Sequence, residues 1–479
     1  MAQQFRLDTV LTPQGWMQGA LVTVAENGRI SAIGRISAIE AGGGAGGTGG
    51  SSHSEGRPQE IERISGFVVP GMPNAHSHAF QRGMTGHTEF RLSARDSFWT
   101  WRQAMYALAN RIDPEELQVL ATQLFIEMLK AGYTSVAEFH YLHRRPAGDH
   151  YPDGVGLWDA VIAAAAASGI GLTLLPTLYQ TSDFGAAPLK PEQARFASDT
   201  DWFLRAVEAR LGAERSAAPA ALRTGAAFHS LRAVPLETLR EAAVALRRLD
   251  RALPLHIHVA EQVQEVDSCK SHTGQRPIEL LLETGLLDEH WCLVHATHAT
   301  AAELRGIAAT NATVCLSVTT EANLGDGFFD AAGFLKWGGR VCVGSDSQAS
   351  VCPAEELRWM EYQQRLRKKR RAVLADKRDS HVGTRLWCDA ARHGAQALGQ
   401  PAGTIEVGRR ADWLVLDGAH PSMAGSVPDN ALDHLVFAGG SAAIRDVMVA
   451  GRWVVKDRRH AAEPVLQPRF ADLMKRLAS

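Results

Sequence analysis

From residue 67 to about 350 the chain repeats one unit, a short apolar run suited to a buried strand followed by a stretch patterned as a helix. The runs are FVVPGM (67–72), YTSVAEFHY (133–141), GLTLLPTLY (171–179), LRTGAAFHSLR (222–232), LPLHIHVAEQ (253–262), HWCLVHATH (290–298), ATVCLSVT (312–319) and RVCVGSDS (340–347). Continuously apolar strands belong to parallel sheets covered on both faces, whereas half-exposed strands alternate. Eight such strands with intervening helices predict a (β/α)8 barrel. A doubly wound open sheet is the competing arrangement, but no GxGxxG turn follows the first run. The helical segments PEELQVLATQLFIEMLKAG and PLETLREAAVALRRLD are amphipathic and open on proline, which is favoured at a helix start.

Both flanks differ from this repeat. Residues 1–66 read as short strands, with Asn27-Gly28 as a hairpin turn, interrupted by AGGGAGGTGGSSHSEG (41–56), which is flexible by composition. His53 in that stretch reads as a solvent histidine. Residues 401–479 return to short strands, TIEVGRRADWLVLD and IRDVMVAGRWVVKD, before a terminal helix. The two ends are expected to pair into a small β-sandwich domain beside a barrel of residues 67–400. GLWDAVIAAAAASGIGLTLLPTL (156–178) imitates a membrane span, but it carries Asp159, Gly169 and Pro176 and changes pattern halfway. It is a helix feeding a buried strand.

A net charge of −2 argues against nucleic-acid or anionic-membrane partners. The basic run Arg367 to Arg371 fits a solvated helix face. The six cysteines form no CxxC pair and no framework spacing, and no signal peptide is visible. A reducing cytoplasm without disulfides is the expectation. A chain of this size commonly forms a homodimer.

Barrel enzymes carry their chemistry at the C-terminal strand ends. Here those ends hold His76 and His78, then Glu138, His140 and Tyr141, then His229 and Arg232. His256, His258 and Glu261 follow, then His295 and His298, and last Asp346. Packing alone does not place so many titratable groups after apolar strands. His76 and His78 are two residues apart, so both face one side of an extended chain. With His258 and Asp346 they make three imidazoles and a carboxylate, a set suited to one divalent cation, Zn2+ before Fe2+ or Mn2+. Such an ion lowers the pKa of bound water. Glu261, three residues beyond His258, is then placed to shuttle protons. Taken singly each has a plainer reading: His256 and His298 as buried hydrogen-bonded histidines, Asp346 as a helix cap.

PGMPNAHSH, HVAE, LVHATH and VGSDS, in this order and spacing, resemble the amidohydrolase superfamily, and GTIEVGRRADWLVLD resembles its small β-domain. The resemblance covers essentially the whole chain. It implies a metal-dependent hydrolase with His76, His78, His258 and Asp346 as ligands, Glu261 as proton shuttle and His295 as a second catalytic histidine, Asp346 also taking a proton. Binuclear members carry a lysine at the end of strand 4; GAAFHSLRAV has none, so one metal ion is expected.

Within the mononuclear deaminase branch, HSHAFQRGMTG, DSFWTWRQAMY, EMLKAGYTSVAEFHYLH and FHSLRAV are similar to deiminases of histidine breakdown. That resemblance implies hydrolysis of N-formimino-L-glutamate to N-formyl-L-glutamate and ammonia. It makes Gln81, Arg102, Tyr141, His229 and Arg232 the substrate contacts, arginine forks being suited to carboxylates. Arg82 is left out as a structural or surface arginine. Two other readings stand beside it. One is a deaminase of a purine, pterin or related heterocycle, which Phe98, Trp99 and Trp101 keep open; the other is a non-catalytic barrel.

Overall fold

Strands from both ends of the chain share one sheet. From the N-terminal part come β1 (Gln3–Thr12), β2 (Gly15–Val24), β3 (Ile30–Arg35) and β4 (Ile61–Pro70). The barrel strands follow as β5 (Met72–Ser77), β6 (Tyr133–His140), β7 (Gly171–Leu178), β8 (Leu222–Thr224), β9 (Ala226–Phe228), β10 (Leu255–Val259), β11 (Trp291–His295), β12 (Thr313–Leu316) and β13 (Arg340–Val343). The C-terminal part adds β14 (Trp413–Leu416), β15 (Ile444–Val449) and β16 (Arg452–Val455), then the helix Glu463–Ala478. The computed structural model describes residues 2–35, 61–89, 98–152, 154–217 and 221–478. The glycine-rich 41–56 stretch and its His53 lie outside these.

The small sheet runs β16-β15-β14-β4-β1-β2-β3, so strands from the two ends meet at β14 and β4. Its core gathers Phe5, Val22, Ile64 and Trp413, with the Phe5 and Trp413 rings edge-to-face at 5.5 Å. Asn27-Gly28 does turn the chain between β2 and β3, where Gly28 has φ +74° and the Gly28 N–H donates to Ala25 O. The run 67–72 divides between the two sheets. Phe67–Pro70 pairs antiparallel with β14, and the barrel begins only at Met72. An apolar run buried on both faces looks the same in either sheet, so its pattern does not say which one it joins.

The second sheet is all parallel, in the order β13-β12-β11-β10-β9-β7-β6-β5 with β8 paired to β7. Every residue of β6, β7 and β10 is buried, as two-sided covering requires. The fourth run is broken at Gly225, where a Cβ would stand 2.6 Å from Leu175 Cδ2 and 2.9 Å from Pro254 O. The sheet returns on itself through a single parallel bridge, Ser77 to Asp346.

Local chemistry sets the helix ends. Asp113 caps Pro114–Ala131, accepting from Glu116 N while the Glu116 side chain accepts from Asp113 N, and Gly132 ends the helix at φ 107°. The helix Gly156–Ser168 stops at Gly169 and β7 follows, which resolves the Ala-rich segment as helix then strand. Among the described residues no helix is long and apolar enough to cross a membrane. The basic run 367–371 is exposed at and beyond the end of Pro353–Lys368. The helix Val382–Leu398 closes the N-terminal mouth of the barrel. Thr173 Oγ1 donates to Leu398 O (2.9 Å), and His256 Nε2 reaches Ala397 O (2.8 Å). His256 is thus a buried, hydrogen-bonded histidine at the end remote from the site.

Candidate active site

The C-terminal mouth of the barrel holds the expected cluster. His78, Gln81, Arg102, Tyr141, His229, Arg232, His258, Glu261, His295 and Asp346 line one cavity, together with Phe98, Trp101, Met105 and Leu324. His76 lies in contact behind them, fully buried, its Nε2 2.9 Å from His258 Nε2. The ligand atoms of His76, His78, His258 and Asp346 all lie within 4.8 Å of one another.

Backbone carbonyls fix which imidazole nitrogens point inward. His78 Nδ1 is 2.8 Å from Phe139 O, and His258 Nδ1 is 2.9 Å from His229 O. A carbonyl only accepts, so each Nδ1 carries the proton and each Nε2 keeps its lone pair. Asp346 Oδ1 stands 3.3 Å from His76 Nε2 and 3.4 Å from His78 Nε2. Lone pairs and a carboxylate oxygen converge on one point with too few protons to satisfy them. That donor set fits a divalent cation.

Electrostatics agree with this reading. Burial drives His258 well below the ordinary histidine range and His78 down to about 3, so both are neutral imidazoles, the form that can ligate a metal ion. Burial would raise Asp346, but hydrogen bonding and attraction to His76, with help from His295 and His78, hold it far below the usual carboxylate range. His295 is the exception among the ring cluster. Burial opposes its charge, yet Glu261, Glu321 and Asp346 together raise it to about 10. Its Nε2 stands 3.7 Å from Asp346 Oδ2 and 3.8 Å from Glu261 Oε1, and its Nδ1 3.3 Å from Glu321 Oε1. Burial lifts Glu261 to about 7, with His295 moderating the rise. The turn bearing Glu261 is clamped by Glu265, which accepts from Ala260 N (3.1 Å) and Glu261 N (3.0 Å).

Several residues at this mouth hold left-handed backbone without being glycine: Ala260 (φ 51°), His295 (69°), Asp346 (45°) and Gln348 (66°). Such conformations persist where surrounding packing over-determines them, and they gather at working sites.

The same cavity is also lined by hydrogen-bond donors. Gln81 Nε2 donates to Tyr141 Oη (3.0 Å), and Arg102 Nη2 donates to Tyr179 Oη (3.2 Å). The ring of His229 packs against Tyr179 at 4.6 Å and Tyr141 at 5.5 Å. Arg232 is buried, and its backbone carbonyl is held by Thr181 Oγ1 at 2.8 Å. Arg82 points elsewhere, pairing with Glu127 at 2.9 Å, and His298 does not line the cavity.

Two supporting residues escaped sequence reasoning. Tyr179 closes the third apolar run and could have been read as a strand-end residue. Glu321 sits one helical turn beyond β12, on Val318–Leu324, and its Oε1 also accepts from Ser317 N at 3.1 Å. A reading restricted to strand ends passes over it.

A model of the amidohydrolase family matches residues 67–454. The chain is 47% identical to a formimidoylglutamate deiminase of Pseudomonas aeruginosa, over 95% of each chain. The crystal structure of an amidohydrolase from Brucella melitensis superposes with a TM-score of 0.88 at 36% identity, covering 100% of both chains. An adenosine deaminase from Xanthomonas campestris with bound zinc shares the fold, with a TM-score of 0.79 at 21% identity over 99% of this chain and 98% of that one. A family match that runs from Phe67 on β4 through the barrel to Val454 on β16, with a relative 47% identical over 95% of the chain, means that the chain belongs to the amidohydrolase family.

Proposed function

We propose that the chain hydrolyses N-formimino-L-glutamate to N-formyl-L-glutamate and ammonia. One observation carries this reading: a single cavity is lined by His78, His258, Asp346 and Glu261 and also by two guanidinium side chains, the buried Arg232 and the half-buried Arg102. A small dicarboxylate with an amidine head suits such a polarised cavity, and the formimidoylglutamate deiminase relative supports the same substrate. Three imidazoles and one carboxylate favour Zn2+ with an open position. Bound there, the ion would lower the pKa of water and polarise the carbon under attack.

The remaining steps belong to the chain's own side chains. Asp346 turns Oδ1 to the ligand imidazoles and Oδ2 toward His295, so Oδ2 is available to take the proton of the attacking water. His295, cationic at neutral pH, stabilises the negative charge that develops on the attacking oxygen. Glu261, titrating near neutrality, can carry one proton of the attacking water to the amidine nitrogen, and the proton taken by Asp346 follows as that nitrogen leaves as ammonia. Arg102 and Arg232 bind the carboxylates, with Gln81, Tyr141 and His229 as further donors. Six unpaired cysteines support a reducing cytoplasm as the working compartment, and a homodimer is the assembly we propose.

The aromatic faces of Phe98 and Trp101, stacked at 6.1 Å beside the cavity, favour a second reading in which a heterocycle is deaminated. Ammonia release from N-formimino-L-glutamate, compared with guanine and adenosine, separates the two. Turnover of the first alone is expected, and none with it overturns the proposal. Arg232→Met is expected to raise KM for N-formimino-L-glutamate about 10- to 100-fold, the worth of one charged hydrogen-bonded contact. Steady-state kinetics check this, and an unchanged KM would remove Arg232 from the substrate wall.

A further inference from the structure

The barrel is not closed by a normal strand ladder. β6 and β7 share six registered pairs, β10 and β11 five, and β12 and β13 four. Between β5 and β13 there is one bridge, Ser77 to Asp346. The backbone bonds across this seam belong to the candidate ligands and their neighbours. His78 N donates to Asp346 O (3.1 Å), and Ser345 N and Asp346 N both donate to His76 O (3.0 Å each). Three of the four donor residues therefore sit where the sheet is least supported by regular pairing.

Two buried amide side chains span that gap. Asn74, fully buried on β5, accepts through Oδ1 from His76 N (3.2 Å) and Ser345 N (3.1 Å) and donates through Nδ2 to Ser345 Oγ (2.7 Å). Gln348 lies on the other side of the ligands. Its Nε2 donates to Asp346 O (2.7 Å) and Ser77 Oγ (3.1 Å). Each side chain has a hold on both edges of the seam, and the strained φ values of Asp346 (45°) and Gln348 (66°) fall inside it. An amide is suited to this work because it offers donor and acceptor in one rigid plane.

We propose that Asn74 and Gln348 are positioning residues that staple the first and last barrel strands and thereby set the affinity of the His76, His78, His258 and Asp346 group for its metal. The inference rests on reading that group as a metal site. The partners that orient metal ligands commonly change affinity about 10- to 100-fold when removed. Neither side chain lines the cavity, so the effect acts through ligand placement rather than through substrate.

The test is competition for Zn2+ between the full-length protein and a chromophoric chelator, with thermal unfolding of the metal-free protein in parallel. Asn74→Ala should weaken Zn2+ binding about 10- to 100-fold. Asn74→Asp keeps both N–H acceptors and can accept from Ser345 Oγ, so its affinity should stay within about threefold of wild type, a restoration that stapling requires. Thr173→Ala removes two buried hydrogen bonds at the opposite mouth, one to Leu398 O and one from Gln400 Nε2. It should lower thermal stability while leaving Zn2+ affinity unchanged. Wild-type affinity in Asn74→Ala, or an equal loss in Thr173→Ala, overturns the proposal. Should Asn74→Ala not fold, Gln348→Ala gives the same reading from the other side, and wild-type affinity there overturns it equally. A wild-type protein that binds no Zn2+ would refute the metal reading itself, a separate result.

Discussion

Asp346→Asn is expected to lower kcat/KM for N-formimino-L-glutamate by at least about a thousandfold, the scale of losing a positioned proton acceptor. The substitution keeps the side-chain shape but removes its charge, and Asp346 serves two neighbours at once. Oδ1 faces His76 and His78, while Oδ2 faces His295. The metal group would become three neutral imidazoles, so metal content after dialysis should fall as well. His295 would lose one of the three carboxylates that keep it protonated. Steady-state kinetics with metal analysis of the same samples measure both effects. A fully metal-loaded asparagine variant within tenfold of wild type would rule out Asp346 as the proton acceptor.

Glu261→Gln should separate proton transfer from metal binding. Glu261 stands 3.8 Å from His295 Nε2 and is not one of the four ligands, so metal content should remain that of wild type. The glutamine is isosteric and cannot carry a proton between water and leaving nitrogen. We expect kcat to fall about 10²- to 10⁴-fold with KM little changed. The clamp by Glu265 acts on backbone N–H groups and is untouched by the substitution. A variant that loses metal in proportion to activity would instead assign Glu261 to the ligand cluster.

The two variants together distinguish an enzyme from an inert barrel. A scaffold that merely retained the fold would show neither loss.

Much of this site is legible in the chain because strand ends are local features. His76 and His78 lie two apart on an extended run, and HVAE, LVHATH and VGSDS each close an apolar segment, so type and order of donors can be read directly. The Ala-rich segment is equally plain, since its pattern changes at Ser168-Gly169, where the structure also ends the helix. Glu321 is not legible in that way. It acts from a helix after β12, and its value depends on where His295 stands in another strand. The division of residues 67–72 is hidden for a related reason, because burial on both faces erases the alternation that would distinguish one sheet from the other.

The sequence by itself determined the repeated strand and helix units, the pairing of both ends in a small β-domain and the donors available at each strand end. These depend on periodicity and side-chain chemistry, which act over a few residues. Only the tertiary structure decided that His258, 182 residues from His76, comes within 2.9 Å of it. It also decided that the barrel closes through a single bridge beside those residues. Distances across such spans follow from how the whole ring of strands shuts, and no local pattern encodes that closure.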